Sequence, residues 1–362
     1  MIHVFPSNRL EHLAGALAAL LNVPAASPLA PEHILVQHRG MQHWLSMQLA
    51  EHPQRGIAMN LQFPLPVRFM WTLIRTVLGE DAVPEASPYQ REVLAWRIYD
   101  LLGSPSVTAD PLFLEPTRYW QQQSERQQPL RRYQLAEELA DLYEQYLMYR
   151  PDWVEAWDRG GRGAREPDPG EPLHWQGLLW RMLVAEVPAH PVALLREAMQ
   201  RLTQPVVGLP ERFFVFGVNS LAPLWLDFLR VLSAQQGVEI FLLYLNPSNE
   251  FWQEAASERQ VARRRATWLA EHDSEDGFVE EPGNPLITSF GQQGQQFVRL
   301  LADWADTETE LFTEPAADTL LTMLQRDMFR FVDGREAPTP VSDDSITIAS
   351  AHSALREVQG LH

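Results

Sequence analysis

The chain contains no cysteine and no lysine; all 29 residues counted as Lys+Arg are arginine. Without cysteine there are no disulfides and no thiolate-ligated zinc. The missing lysine excludes more. A P-loop needs a lysine on the β- and γ-phosphates, Schiff-base catalysis needs a lysine amine, and many metal-dependent nuclease cores place a lysine beside paired acids. None of these chemistries can run here in its usual form. Long apolar runs are also missing: each is interrupted well before the roughly 18 residues that a membrane span requires. The N-terminus lacks the basic, apolar and small-residue pattern of a secretory leader. A soluble, cytoplasmic protein with no membrane partner is expected. Basic charge is scarce, and the formal net charge is −18. Such a field repels phosphate and argues against bulk attachment to nucleic acid, while leaving room for a local basic groove or a basic partner.

What is present is a chain of 362 residues, 45% apolar, able to bury a large core and long enough for two domains. The opening "HVFPSNRLEHL" reads as strand, loop and helix, with a strand at His3–Phe5, a helix around Arg9–Leu21, and Ser7 or Asn8 as its cap. "ILVQ" (34–37) reads as a buried strand, and "HRGMQHWLSMQLAEH" (38–52) as a helix. This β-α-β-α order predicts a parallel sheet. Residues 60–78 carry two prolines and then an apolar helix; residues 88–102 and 115–153 are helical, and more helices follow to about 203. A loop rich in Gly, Pro and charge is expected at 158–172. "RFFVFGV" (212–218) and "VEIFLLYLNP" (238–247) then flank a helix in a βαβ unit, and "SITIASAHSALREVQGLH" (345–362) reads as the start of another strand-turn-helix. The fold class is therefore α/β: a sheet core interrupted by a large α-helical insertion.

The first loop has the frame of a nucleotide site without its chemistry. "PSNR" has no glycine nest and no lysine, and the strand "FFVFGV" is followed by Asn219 and Ser220 rather than by a magnesium-holding acid. His38 and His43 are five positions apart and point to different helix faces, which argues against a zinc pair. Asp152, Glu155 and Asp158 read as acids on a solvated helix start. Glu137, Asp141 and Glu144 share one helix side, with Gln145 and Arg150 nearby. This is either a solvated face or a surface that reads base edges, since carboxylates accept from cytosine amino groups and arginine donates to guanine. Trp44, Phe63, Phe69 and Trp71 flank "FPLP", either as core packing or as stacking platforms for single-stranded bases.

"SNRLEHL", "ILVQHRGMQHWLSMQLA", "GIAMNLQFPLPVRFMW", "LADLYEQYLMYRPDW", "FGVNSLAPL" and "GNPLITSFG" together, in order through the chain, resemble the RecC family, the gamma chains of bacterial exodeoxyribonuclease V. Members of that family are much longer, so the resemblance makes this an N-terminal fragment. It implies a superfamily 1 helicase-like parallel sheet core, lacking ATPase motifs, at 1–80 plus 205–330. It further implies a helical insertion at 81–204 and the truncated start of a second α/β domain at 341–362. A non-catalytic subunit follows, assembled with RecB-like and RecD-like chains into an ATP-dependent helicase and nuclease for double-strand break repair by homologous recombination. ATP and magnesium would be used by those partners, with no cofactor in this chain. The subunit would meet duplex DNA ends, channel single-stranded DNA and recognise the Chi sequence. The positions matching that role are Gln37, Arg39, His43, Leu65, Trp71, Asp141, Leu142, Glu144 and Arg150. Arg39 stands where the family pattern has threonine, His43 where it has glutamine and Pro191 where it has arginine. These exchanges alter donor and acceptor patterns, so a different octamer, or none, is expected to be read. Two other readings stay open: an NTPase with an arginine-based phosphate site at Arg9 or Arg39, and a protein-interaction scaffold without DNA contact.

Overall fold

The structure, a computed structural model, describes residues 1–25, 29–53, 55–160, 175–272, 278, 280, 282–335 and 343–360. Six strands form one sheet: β1 (Ile2–Ser7), β2 (Glu32–Leu35), β3 (Leu61–Gln62), β4 (Arg212–Phe216), β5 (Glu239–Leu245) and β6 (Thr307–Glu308). Their order is β3-β2-β4-β5-β1-β6. Every pairing is parallel, with Ile34 opposite Phe214, Phe214 opposite Phe241 and Val4 opposite Leu242. The parallel sheet read from the first two strand-helix units is present.

The central strands are apolar on both sides because both faces are covered. Side chains alternate across a strand, and the core divides accordingly. Phe214, Phe216, Phe241 and Leu243 pack with Leu13, Leu17 and Leu45, which come from the helices Leu10–Leu21 and Arg39–Glu51. Phe213, Val215, Ile240 and Leu242 face the other way. There they join Phe69 and Leu73 of helix Pro66–Leu78 and Leu226 and Leu229 of helix Pro223–Gln236. The same apolar cluster runs on into Leu94, Tyr143 and Trp180 of the helical block between β3 and β4. That block contains Arg91–Leu102, Leu114–Gln121, Gln128–Tyr149, Pro151–Asp158, Trp175–Glu186 and Pro191–Arg201. Its two principal helices, Arg91–Leu102 and Gln128–Tyr149, run antiparallel: Arg91 meets Asp141, and Trp96 meets Tyr133 further along.

Several local details differ from expectation. The second strand is Glu32–Leu35 rather than Ile34–Gln37. A charged residue can start it because Arg212 of β4 donates to both carboxylate oxygens of Glu32, and both side chains are largely buried. Of the two cap candidates for the first helix, Ser7 accepts from the Arg9 amide at 3.1 Å, whereas Asn8 bonds Thr313 instead. β4 stops at Phe216 because Gly217 adopts a φ of +64°, a left-handed conformation that glycine tolerates. The strand expected at the start of 345–362 is not formed among the described residues. These residues have no sheet neighbour to complete a ladder, Ile348 is 93% exposed, and only a short helix, Ala354–Gly360, follows. Most of the loop expected at 158–172 lies outside the described residues.

Candidate nucleic-acid interface

The residues proposed to bind DNA fall in three places. Gln37, Arg39 and His43 lie just beyond the C-terminal end of β2 and in the first turns of the helix it feeds, and all three are exposed. His38 holds this turn, because its Nδ1 accepts from the Met41 amide at 3.1 Å. That capping role commits one ring nitrogen of His38.

Leu65, Trp71 and Glu144 come together on a cleft of about 580 Å³. Leu65 is the cap of helix Pro66–Leu78, where Pro66 takes the first helical position at no hydrogen-bonding cost. Trp71 sits one and a half turns later and is half-buried. Its indole N–H is shared between the carbonyls of Pro84 and Glu85, at 3.1 and 3.2 Å, which fixes the ring's edge. Glu144 enters from helix Gln128–Tyr149. Burial pushes its carboxyl above the usual range, and the neighbouring carboxylates of Asp141 and Glu92 push the same way, against the Arg91 cation. Pro191 lines the same cleft, as do Tyr89 and Trp225. Burial raises the Tyr89 phenol to about 12, and its hydroxyl donates to the Val187 carbonyl at 2.5 Å. The cleft is therefore largely apolar and aromatic, with Arg68, Glu85 and Glu144 as its charged lining residues.

The remaining positions are committed elsewhere. Asp141 pairs with Arg91 at 2.9 Å and accepts from Gln145 at 2.8 Å. Leu142 is half-buried and does not line the cleft. Arg150 ends the long helix, donates two hydrogen bonds to Asp152 at 2.9 and 3.1 Å, and lies 3.8 Å over the Trp153 ring. Tyr89, Trp225 and Met148 were not anticipated. Only Met148 carried a signal, lying four residues after Glu144 on the same helix side.

Asp152 and Asp158 are exposed, as expected of acids on a solvated helix start, but Glu155 and Asp158 also hold partners on other helices. Glu155 pairs with Arg196 at 2.8 Å. Asp158 accepts from the buried Trp180 indole at 2.8 Å and from His190 at 3.0 Å. The other His190 nitrogen accepts from the Ala193 amide, so this histidine caps helix Pro191–Arg201, whose first turn walls the cleft.

The turn after β1 is filled by the chain itself. Residues 306–311 run beside β1, with the amides of Asp306, Thr309 and Leu311 donating to Ile2, Val4 and Pro6 at 2.9 Å each. Ser7 Oγ donates to the Leu311 carbonyl at 2.7 Å, and the Asn8 amide donates to and accepts from the Thr313 backbone. Among the described residues no group of three His, Asp or Glu side chains could hold a metal ion. Nor is any single helix there long and apolar enough to cross a membrane.

Fold and site define a parallel α/β protein with a helical block, in which the turn after β1 is filled by the chain itself and an aromatic cleft opens between the block and the helices Pro66–Leu78 and Pro223–Gln236 that cover the sheet. Residues 2–331 match the family model described as RecC, N-terminal domain, and the chain belongs to that family. It is 31% identical to the RecBCD enzyme subunit RecC of Escherichia coli K12, over all of this chain and 35% of that protein. It is 29% identical to the subunit of the same name from Haemophilus influenzae, over all of this chain and 36% of the relative. For the Mycolicibacterium smegmatis subunit the figures are 26% identity, 99% and 31%. The chain thus spans about a third of the length of these curated relatives.

Proposed function

We propose that this chain is the N-terminal, helicase-like part of a RecC-type subunit that channels single-stranded DNA and reads it for a Chi-type sequence. The chain would hydrolyse no ATP itself. RecB-like and RecD-like partners would supply the motor and nuclease activities, with their ATP and magnesium, in cytoplasmic repair of double-strand breaks by recombination. In this reading residues 1–80 and 205–330 form the helicase-like core, 81–204 the insertion and 341–362 the start of a further α/β domain.

The observation that carries the proposal is the convergence of Leu65, Trp71, Glu144 and Pro191, from three separate helices, on one cleft. A base can stack on an aromatic face whatever its sequence, while a carboxyl placed beside it accepts from amino-bearing bases. Gln37, Arg39 and His43 would supply a second, exposed reading surface after β2. With arginine and histidine in place of threonine and glutamine there, and with Pro191 unable to make charged contacts, the sequence read should differ from that of the family pattern.

Sequence-resolved cleavage by the full-length assembled complex tests this. Arg39→Thr with His43→Gln should move the cleavage-limiting sequence. An unchanged cleavage map would refute the assignment of these residues. Against an arginine-based NTPase stands the closed turn after β1, where Ser7 and Asn8 are held by residues 311–313.

A further inference from the structure

The helical block carries an exposed tryptophan beside a half-buried tyrosine, away from the cleft. Trp96 is 58% exposed, its ring centroid 5.0 Å from that of Tyr133 and 5.7 Å from that of Tyr99. Val93 and Leu130, each three residues earlier on its helix, are also exposed, at 43% and 59%. An exposed tryptophan beside exposed aliphatic side chains is uncommon on a surface that only meets water. Behind the pair lies a cation: the Arg132 guanidinium sits 3.9 Å over the Tyr99 ring and 5.4 Å from that of Trp120.

The position of the pair relative to the cleft is the second observation. On helix Gln128–Tyr149, Tyr133, Glu137, Asp141, Glu144 and Met148 follow each other at steps of four, four, three and four. At 100° per residue they form one stripe. Glu144 and Met148 line the cleft, and Tyr133 lies eleven residues earlier, about 16 Å along the helix at 1.5 Å per residue. Between them Asp141 is paired with Arg91 at 2.9 Å, burial and like charge push the Glu144 carboxyl above the usual range, and Glu137 adds a negative charge to the stripe.

We propose that single-stranded DNA leaving the cleft follows the seam between helices Arg91–Leu102 and Gln128–Tyr149 and stacks a base on Trp96 and Tyr133. This rests on the reading of the cleft given above and adds a second stacking station to it. Arg132 supplies the positive potential at that station. The contact is indifferent to sequence, because every base has a π-face.

The test uses oligonucleotides carrying 4-thiothymidine at single positions, bound to the full-length protein assembled with its partner subunits, with adducts located by mass spectrometry. Adducts on Trp96 or Tyr133 are expected from positions several nucleotides away from those that reach Trp71. Trp96→Ala should reduce them about tenfold, the scale of one lost stacking contact, and Trp96→Phe should restore most of the yield. Trp96 is more than half exposed, so neither change removes core packing. If Trp71→Ala removes adducts in the cleft while Trp96→Ala and Tyr133→Ala change nothing, the second station is wrong and the cleft stands. If none of the three variants changes the adducts, the cleft reading fails and the inference with it.

Discussion

Asp158→Ala is the most informative single change in the helical block. Asp158 joins two buried donors, the Trp180 indole N–H at 2.8 Å and His190 Nε2 at 3.0 Å. Trp180 and His190 are 0% and 2% exposed, whereas Asp158 is itself exposed, so water can take over part of the lost acceptor. An unpaired buried donor costs about 1–3 kcal/mol, and with water partly replacing the carboxylate Asp158→Ala should cost about that much for the two donors together. Asp158→Asn keeps one acceptor oxygen and should cost about half as much. The pH dependence follows from the same contacts. Burial alone would raise the Asp158 carboxyl, but hydrogen bonds from His190 and Trp180, and the nearby charges of His190 and Arg159, hold it below the usual carboxylate range. A depressed folded-state value means that the contribution is complete above the unfolded-state value and is lost as pH falls through the folded one. Wild type should therefore lose more stability than Asp158→Asn on acidification below about pH 4. Urea denaturation at neutral and acid pH, with the m-value checked for constancy, measures both effects. An Asp158→Ala protein within about 0.5 kcal/mol of wild type, the range of neutral surface changes, would refute the reasoning.

Other changes probe the sheet, the block and the closed turn. Arg212→Ala should destabilise by about 3–5 kcal/mol because it strands buried Glu32; the double change Arg212→Met, Glu32→Leu should cost much less, and chemical denaturation separates the two. In Gly177→Ala the added Cβ would stand 2.7 Å from Cδ1 of Trp157, which is itself 2% exposed and has no room to move. Overpacking of about 1–3 kcal/mol is expected, visible as a lowered urea midpoint. Magnesium-ATP should leave the melting temperature unchanged, whereas a nucleotide at 100 times its Kd would add about 2.7 kcal/mol. Saturable stabilisation that is abolished by altering Ser7–Arg9 would overturn the closed-turn argument.

The parallel sheet was legible because β4 and β5 are continuous apolar runs bracketing a helix, the pattern of strands buried on both faces. The edge strands were not. Leu61–Gln62 and Thr307–Glu308 are two residues each, the latter fully polar, and their pairing is set by the neighbours they meet. The closure of the first turn was equally hidden, since nothing in the sequence near Ser7 and Asn8 points to partners about three hundred residues away. At the site, local spacing placed Glu137, Asp141 and Glu144 on one helix side. It could not show that Asp141 is taken by Arg91, or that Glu144 meets Trp71 across a cleft. For a related reason the spacing of the acids at 152, 155 and 158 could not show that Glu155 and Asp158 hold partners on other helices. The chain turns at Arg150, and Asp158, at the end of the next helix, reaches His190, the cap of helix Pro191–Arg201.

The measurement closest to the central claim is single-strand crosslinking in the full-length assembled complex carrying Trp71→Ala or Glu144→Gln. The cleft reading predicts that Trp71→Ala loses about tenfold in adduct yield, as expected for one stacked base, and that Glu144→Gln changes which base is preferred at that position. Yields and base preference unchanged in both variants would contradict it and leave this region as a scaffold without DNA contact.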